Sequence, residues 1–423
     1  MPAAASGLRP ARLGSSAGRG AALSRDAARR SGRGLPRLRA SAAILADAIN
    51  LGPNRMAEAS AGVTARQIGW CRQFHAHDPA FKAGVARIID AQLVHPYARI
   101  WGDGATSSSD GQFFPAAGRA GKRSDVNTHY SSGPGGKFYT WVSDQHGHYH
   151  ILPIGVTESE AAYVLDGIYG HASQLDITEH YVDTGGATDH VFALFAVLGR
   201  RLVPRLRNLK DWSLYAFASS EPDTLLRQHI GGRIDERAIR EAWDEVLRIG
   251  LSIEDREVAP SVVLKKLAAL PKTNLLFKAL REIGRIERTL FMIEWYSSPA
   301  LRARCRAGLN KGEAGHKLTR AVFFHERGEI RDASFESQAF RASALNLVVS
   351  AIILWNTVYL SRAVDQPRAE GHDLPDAILR HVSPQIWEHI NLTGTYDWNR
   401  QDLPPSGAFR PLRRTATNVP AAA

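Results

Sequence analysis

The stretch from residue 177 to residue 198 reads Ile-Thr-Glu-His-Tyr-Val-Asp-Thr-Gly-Gly-Ala-Thr-Asp-His-Val-Phe-Ala-Leu-Phe-Ala-Val-Leu. Its first seven residues are rich in β-branched and aromatic side chains and predict a strand, which ends at Asp183 before a Thr-Gly-Gly turn. Apolar residues then recur at helical spacing and predict a helix from Asp189 to Leu198. This stretch therefore predicts a strand that ends in an acid and is followed by a turn and a helix.

Upstream and downstream patterns complete the order of elements. Strands are predicted over residues 106–114, 137–143, 148–155 and 201–206, and a helix over residues 159–173. The order β-β-β-α-β-α-β is that of the ribonuclease-H-like fold, in which a right-handed crossover brings a parallel fourth strand beside the first. Asp110 on the first strand and Asp183 at the end of the fourth are therefore expected to be neighbours.

The whole chain is predicted to be a mixed, helix-rich α/β protein with a ribonuclease-H-like core, an all-α insertion and helical flanks. Its 423 residues exceed what one hydrophobic core usually serves. The predicted units are a disordered basic arm (1–42), a helical segment (43–100), the first part of the core with both aspartates (101–209), the all-α insertion (210–308), the second part of the core (309–365) and a loop-rich tail (366–423).

The net charge of +11 is concentrated at the N-terminus. Residues 1–40 contain nine arginines and one aspartate, so the other 383 residues carry only about +3. This arm has almost no large apolar residues and cannot form a core. It is read as a nucleic-acid-binding arm, a transit-like segment or, the reading we favour, a translated stretch foreign to the fold.

Composition excludes several classes of protein. With 44% hydrophobic and 22% charged residues, the chain is neither wholly disordered nor fibrous. Two cysteines cannot form a disulfide framework, which favours an intracellular protein. The longest apolar run, residues 344–360, is interrupted by Asn346, Ser350, Asn356 and Thr357 and predicts a buried helix rather than a membrane span.

The segment that begins at Glu313 predicts an amphipathic helix. Ala314, Leu318, Ala321 and Val322 form its apolar stripe, and Glu313, His316, Lys317 and Arg320 form the opposite one. A carboxylate among cations fits a metal ligand beside a phosphate backbone, although a solvated face with ion pairs has the same pattern. Together with Asp110 and Asp183, Glu313 supplies the three oxygen ligands that a pair of Mg²⁺ ions needs for displacement at phosphorus.

Five motifs of this chain are long enough to be compared with known families. They are Trp-Gly-Asp-Gly-Ala-Thr-Ser-Ser-Ser-Asp-Gly-Gln-Phe from residue 101, Glu-His-Tyr-Val-Asp-Thr-Gly-Gly-Ala-Thr-Asp-His-Val-Phe-Ala-Leu from 179, Gly-Leu-Asn-Lys-Gly-Glu-Ala from 308, Ala-Leu-Asn-Leu-Val-Val-Ser-Ala-Ile-Ile-Leu-Trp-Asn-Thr-Val-Tyr-Leu from 344, and Trp-Glu-His-Ile-Asn-Leu-Thr-Gly from 387. From about residue 43 to 413 the chain resembles the Tn3 family of transposases, which mobilise class II replicative transposons.

The resemblance implies that the Asp-Asp-Glu triad of the family falls on Asp110, Asp183 and Glu313. It implies two Mg²⁺ ions, with Mn²⁺ as a substitute, that cleave DNA at transposon ends and transfer the 3′-hydroxyl to target DNA. The expected partners are double-stranded DNA, both terminal repeats and target, and further copies of the transposase in a DNA complex, with no membrane. The expected location is the bacterial cytoplasm, at the nucleoid.

Two departures from the family pattern suggest an alternative. Members of the family are far longer and carry end-binding domains upstream, whereas residues 1–42 look unlike the family; an acid usually stands where this chain has Thr395. A truncated, non-catalytic remnant that binds DNA or associates with full-length transposase is therefore the alternative function.

Basic residues near the predicted acids are candidates for phosphate contacts. They are Arg205, Arg207 and Lys210 after the last core strand, and Lys311, Lys317 and Arg320 on the late helix.

Other residues have competing interpretations. Asp103 is read as a turn former rather than a metal ligand, and Asp189 as a helix N-cap. Glu329 and Glu336 are substitutes for Glu313. Three histidines, His146, His148 and His150, are read as turn and strand residues rather than a zinc site. Trp295 is read as core rather than as a base-stacking residue.

Overall fold

The structure is a computed structural model that describes residues 35–122, 124–207, 210, 212–221, 224–332 and 334–398. Most of the predicted arm and the last part of the predicted tail lie outside these residues. A five-stranded mixed sheet forms the centre. Its strands are β1 (Thr106–Pro115), β2 (Gly135–Ser143), β3 (His148–Gly155), β4 (Glu179–Val182) and β5 (Arg201–Pro204).

The strand order of this sheet is β3-β2-β1-β4-β5. The first three strands are antiparallel, and β4 and β5 run parallel to β1. The adjacency of the first and fourth strands, which the order of elements predicted, is confirmed.

Helices surround the sheet and form most of the chain. Those of the N-terminal half are α1 (Leu35–Ala48), α2 (Pro53–Glu58), α3 (Ala65–His75), α4 (Asp78–Val94), α5 (Gly118–Gly121), α6 (Asp166–Gly170) and α7 (Asp189–Val197). Beyond β5 follow β6 (Leu214–Ala216), α8 (Thr224–Arg227), β7 (Ile230–Arg233), α9 (Glu236–Glu241), α10 (Trp243–Glu254), α11 (Pro260–Ala269), α12 (Leu275–Ser297), α13 (Pro299–Val322), α14 (Phe335–Ala369) and α15 (Asp376–Leu379).

A hydrophobic core lies on each face of the sheet, because successive side chains of a strand point to opposite faces. Along β2, Phe138 belongs to the core formed with α1, α3, α13 and α14, whereas Tyr139 and Trp141 belong to the core formed with α7 and α12. The sheet is therefore covered on both sides, and only its strand ends and loops remain open for chemistry.

The helix predicted over residues 159–173 is replaced by a 3₁₀ turn, Glu160–Ala162, and the short helix α6. Trp141 explains the break. Its indole Nε1 donates to the carbonyl of Val164 at 2.9 Å, which occupies an oxygen that a continuous helix would use. Its ring also lies against Gly167, where a Cβ would overlap the indole.

The predicted end of the arm at residue 42 is corrected. Helix α1 begins at Leu35, and Ala42 is fully buried. Leu38 packs against the same core, alongside residues of α14. The apolar spacing of the segment therefore extends the folded part of the chain towards the N-terminus by about two helical turns.

The predicted insertion is not all-α, and its boundary at residue 308 is also corrected. Strands β6 and β7 form a small parallel sheet within it. Helix α13 is continuous from Pro299 to Val322, so it crosses the predicted boundary without a break. The helix passes from the insertion directly over the core sheet, where Gly308, Gly312 and Gly315 allow close approach.

Helix α14 is the one described helix that is long and apolar enough to cross a membrane. It packs against α1, α4 and β3. Asn346 Nδ2 and Ser350 Oγ donate to the carbonyl of His148 at 3.1 and 2.8 Å, so these two polar groups are paired inside the protein. Three of its apolar residues are buried in the core that α1 and α13 share: Leu345, Val349 and Ile353.

Candidate active site

Asp110 and Asp183 lie side by side because of the parallel pairing of β1 and β4. In this ladder Ser108 is opposite Tyr181. Asp110 and Asp183 stand two residues further along their strands. They lie on the same face as Ser108 and Tyr181, because side chains alternate between the two faces. Asp183 follows directly after the last residue of β4, where the ladder opens.

A buried histidine ties these two strands together on the opposite face. The two ring nitrogens of His180 lie 2.7 Å from the hydroxyls of Ser107 and Ser109. Burial lowers the pKa of His180 to about 3, so the ring is neutral and accepts at one nitrogen while donating at the other. This bridge fixes the register that brings the two aspartates together.

Helix α13 crosses the face on which the aspartates lie. Ser108 Oγ donates to the carbonyl of Gly308 at 3.0 Å, and Gln112 Nε2 donates to the carbonyl of His316 at 3.0 Å. Near the start of the helix, Arg304 makes two contacts with Glu179, of 2.9 and 3.1 Å. Glu313 lies between Gly308 and His316, the two helix residues whose carbonyls accept hydrogen bonds from β1, and its side chain is exposed.

Asp183 and Glu313 both lie close enough to Asp110 for their charges to act on its carboxyl. The pKa of Asp110 is raised to about 7, first by burial and then by the charges of Glu160, Glu313 and Asp183. The Gly111 N–H, which donates to Asp110 Oδ1 at 2.8 Å, opposes this rise. The structure thus brings the three acids singled out in the sequence to one place.

The charge and the polar atoms of this place fit a hard cation. Asp183 Oδ1 is buried and has no hydrogen-bond partner among the described residues. Asp183 Oδ2 accepts from Arg207 Nη2 at 2.6 Å, so a guanidinium now occupies part of the acidic cluster. Carboxylate oxygens are the ligands that Mg²⁺ and Mn²⁺ prefer. In the part of the chain that the structure describes, no three acidic, histidine or cysteine side chains surround one point closely enough to hold an ion.

His316 does not lie on the exposed stripe on which the sequence placed it. The ring is buried, and its Nδ1 is 3.9 Å from Asp110 Oδ2. Burial and the charge of Arg320 lower its pKa to about 4. The prediction was wrong because α13 contacts the sheet through Gly312 and Gly315, which places their neighbour His316 against β1 as well.

The structure separates the six basic candidates into three kinds. Arg205, Lys210, Lys317 and Arg320 are exposed. Arg207 is paired with Asp183. Lys311 is largely buried, and its Nζ donates to the carbonyls of Trp101 and Asp144. Its ammonium is therefore engaged with the protein backbone, unlike those of the exposed candidates.

Several competing interpretations are now decided. Asp103 Oδ1 accepts from the Ala105 N–H at 3.0 Å, which is the contact of a turn former. The N-cap of α7 is Thr188 rather than Asp189, so that prediction was wrong by one residue. Trp295 is buried in the core, as predicted.

The three histidines and the two substitute glutamates lie in different surroundings. His146 pairs with Gln385 at 3.0 Å and, like His148 and His150, is buried. No zinc-like group is present among the described residues. Glu329 is paired with Arg331, and Glu336 is exposed in the first turn of α14.

Sequence reasoning missed three residues beside Gly111, on the face of β1 opposite the Asp110 side chain. Glu160, Lys137 and Tyr130 form a hydrogen-bonded group at the edge of β1. Their positions along the chain carry no motif, since they come from a 3₁₀ turn, a strand and a loop. The one available signal is Gly111, because a glycine directly after an acid in a strand indicates close approach by another group.

Comparison with known proteins identifies related sequences over most of the chain. The family described as Tn3 transposase DDE domain matches residues 21–396. The match includes residues 21–42, which the sequence had led us to regard as unlike the family.

Curated relatives are similar over nearly the same region. The chain is 48% identical over 370 residues to the transposase of transposon Tn21 from Escherichia coli, covering 88% of this chain and 37% of that protein. It is 48% identical to the transposase of Tn501 from Pseudomonas aeruginosa, with 88% and 38% coverage. It is 38% identical to the transposase of Tn1546 from Enterococcus faecium, with 88% and 37% coverage. The chain thus spans less than two fifths of the length of these relatives.

Proposed function

Since this chain belongs to the Tn3 transposases and carries their DDE domain, we propose that it is the part that cleaves DNA strands at transposon ends and joins them to target DNA. The observation that carries the proposal is the placement of Asp110 and Asp183 at adjacent parallel strands beneath the helix that bears Glu313. The ribonuclease-H-like assignment of the core belongs to the same proposal and is supported by the strand order.

The proposed catalytic residues are Asp110, Asp183 and Glu313. Two divalent cations, Mg²⁺ or Mn²⁺, would supply the activation of the attacking oxygen and the stabilisation of the leaving oxygen. The three carboxylates would hold these cations through their oxygen atoms. Asp110 projects from β1, Asp183 from the end of β4 and Glu313 from α13. His316, which is neutral and buried beside Asp110, limits the directions in which that carboxylate can turn.

The substrate proposed for this site is double-stranded DNA, and the exposed basic residues around it support this proposal. Arg205 and Lys210 follow β5, and Lys317 and Arg320 lie on α13 near Glu313. Such side chains position a phosphate backbone without reading its sequence. Arg207, which is paired with Asp183, would become available to a phosphate if a bound cation replaced it at that carboxylate. Self-association in a DNA complex, and a place at the bacterial nucleoid, are part of the same proposal.

The test is a strand-cleavage assay with the complete 423-residue chain. The substrate is an end-labelled duplex that carries the terminal repeat of transposon Tn21, incubated with Mg²⁺ and, in parallel, with Mn²⁺. We expect metal-dependent nicking by the wild type and a loss of at least a hundredfold in Asp183→Asn, which keeps the size of the side chain but removes its charge. DNA affinity should be unchanged or slightly higher, because a negative charge beside the phosphates is lost.

The matched control is Asp78→Asn, an aspartate at the start of α4 whose side chain is exposed and paired with Lys82. It should cleave like the wild type. Equal cleavage by Asp183→Asn and the wild type would overturn the assignment of the triad. Binding of the duplex without cleavage by any variant in either metal would instead support the second candidate, a DNA-binding chain that is not catalytic.

A further inference from the structure

A cavity of about 330 Å³ lies beside helix α13, where β1 begins and β2 ends. Its lining includes Thr106 and Ser108 of β1, Val142 of β2 and Tyr181 of β4. Pockets that hold small organic ligands have volumes of about 300–1,000 Å³. The cavity is therefore large enough for one such ligand.

The cavity and Glu313 lie on different sides of α13. Four residues of the helix line the cavity, and their spacings of three, four and seven residues place them on one helical face: Arg304, Ala307, Gly308 and Lys311. Glu313 follows Lys311 by two residues, which is more than half a turn of an α-helix. None of the three proposed catalytic acids lines the cavity, so it is separate from the site described above.

Three basic side chains line this cavity: Arg304, Lys311 and Arg380. Arg304 contacts Glu179, although its side chain remains 47% exposed, and Lys311 donates to two backbone carbonyls. Arg380 follows α15 and is exposed. Its guanidinium has no hydrogen bond or ion pair with any residue that the structure describes. One cation of the lining is therefore left without a protein partner in the described part of the chain.

Asp144 is the one acidic side chain among the described residues of the lining. Its Oδ1 accepts from the Gly104 N–H at 3.0 Å, and its Oδ2 accepts from the Thr106 hydroxyl at 3.3 Å. This carboxylate is engaged with the protein, whereas the guanidinium of Arg380 is not. The charge that remains available to a ligand is positive, which favours an anion.

Buried aromatic side chains form another part of the lining. Trp101 and Tyr181 are both buried, and the Trp101 indole Nε1 donates to the carbonyl of Val382 at 2.9 Å, which holds the ring in place. Aromatic side chains pack against nucleobases, because every base has a π-face. Guanidinium groups bind phosphate through paired N–H donors. A ligand that combines a base with a phosphate therefore matches both parts of the lining.

We propose that this cavity is a nucleotide-binding site, in which Arg304 and Arg380 bind the phosphate and Trp101 and Tyr181 contact the base. A free nucleotide and a nucleotide of a DNA strand present the same groups, and a competition experiment distinguishes them. The competing explanation is that the basic residues of the lining serve the fold alone. The contacts of Arg304 and Lys311 fit that explanation, but Arg380 has no such contact among the described residues.

The test is the binding of dAMP to the full chain, measured by isothermal titration calorimetry with EDTA and without divalent metal. Arg380→Gln removes the charge of an exposed side chain and should fold normally. We expect its dissociation constant for dAMP to rise about tenfold or more, because a hydrogen bond to a charged group contributes about that factor. Deoxyadenosine and inorganic phosphate each lack one part of the ligand and should both bind more weakly than dAMP.

A single-stranded thymidine decamer with a 5′-phosphate identifies the source of the nucleotide. Displacement of dAMP from the wild type by this decamer would show that a nucleotide of a DNA strand occupies the cavity. Binding of dAMP that the decamer does not displace would show that the ligand is a free nucleotide. Neither measurement involves metal or cleavage, so a failure of this inference leaves the proposed function untouched.

The matched control is Arg306→Gln, because Arg306 is also exposed on α13 but does not line the cavity. This variant loses the same charge and should bind dAMP like the wild type. Thermal unfolding checks that both variants are folded. The inference would be overturned by a wild type that binds no dAMP, by wild-type affinity in Arg380→Gln, or by an equal loss in Arg306→Gln. Inorganic phosphate that binds as tightly as dAMP would likewise overturn the assignment to a nucleotide.

Discussion

At the scale of single residues, chemical type predicts charge but not what the charge does. Lys311 and Lys317 lie six residues apart on one helix, and both were expected to contact DNA. In the structure Lys317 is exposed, whereas Lys311 reaches inward to two backbone carbonyls. Because its ammonium contacts protein rather than water, burial lowers the pKa of Lys311.

This difference leads to a prediction about stability and binding. Lys311→Met leaves the carbonyls of Trp101 and Asp144 without their donor and should lower the free energy of unfolding by about 1–3 kcal/mol. Lys317→Met should leave stability within about 0.5 kcal/mol, and it should weaken DNA binding with a smaller salt dependence. Urea unfolding and a salt titration of DNA affinity measure the two effects. Equal stability of the two variants would contradict the structural role of Lys311.

At the scale of elements, the insertion is fastened to the core immediately after Asp183. Helix α12 lies so close to the first turn of α7 that a Cβ on Gly284 would overlap the backbone carbonyl of Asp189. Arg288 pairs with the Asp189 carboxylate at 2.5 Å, and its guanidinium lies 5.3 Å from the centre of the Tyr215 ring. The insertion thus supports the loop that carries a proposed catalytic acid.

The closeness of these two helices is open to a direct test. Gly284→Ala should destabilise the protein by about 1–3 kcal/mol or more, because the added methyl group meets rigid backbone rather than a movable side chain. Gly69→Ala in α3 is the matched control, since nothing lies within 4 Å of the position of its Cβ. The control should be neutral or stabilising by up to about 1 kcal/mol. Thermal unfolding of both variants measures the two effects. Wild-type stability of Gly284→Ala would show that α7 and α12 are less closely packed than described.

At the scale of the whole molecule, six histidines are buried around the sheet. Burial is the first cause that lowers the pKa of each of them. The pKa values are about 3 for His146, His148, His150 and His180, and about 4 for His171 and His316. In the unfolded chain the same side chains would titrate near pH 6.5.

Stability should therefore depend on pH with a definite sign. As pH falls below about 6.5 the unfolded chain binds protons that the folded protein excludes, so stability is retained above this pH and lost progressively towards pH 4. The carboxyls of Asp110 and Asp144, with pKa values raised to about 7 and 6, act in the opposite direction, as do Asp47, Asp166, Asp189 and Glu287, whose pKa values burial also raises. The histidines still outnumber these six acids, because burial also lowers the pKa values of His95, His190 and His325. Urea midpoints should agree at pH 7 and 8 and be clearly lower at pH 5. A midpoint that rises at pH 5 would contradict this assignment.

The sequence by itself determined the order of the core strands, and it singled out the three acids that we propose as catalytic. Period-two alternation and turn residues are local properties, and the handedness of the crossover then leaves one place for β4. Sequence also placed Trp295 in the core. It misjudged the helix after β3, because the bond from Trp141 to the carbonyl of Val164 joins residues of two different elements.

Only the tertiary structure decided that Lys311 and His316 turn inward and that Glu160 lies against Gly111 of β1. The physical reason is the same in each case. These outcomes depend on how closely two elements approach, and that distance is set by glycines on α13 and β1 acting on partners far away in the chain. No periodicity within one segment records the identity of such a partner.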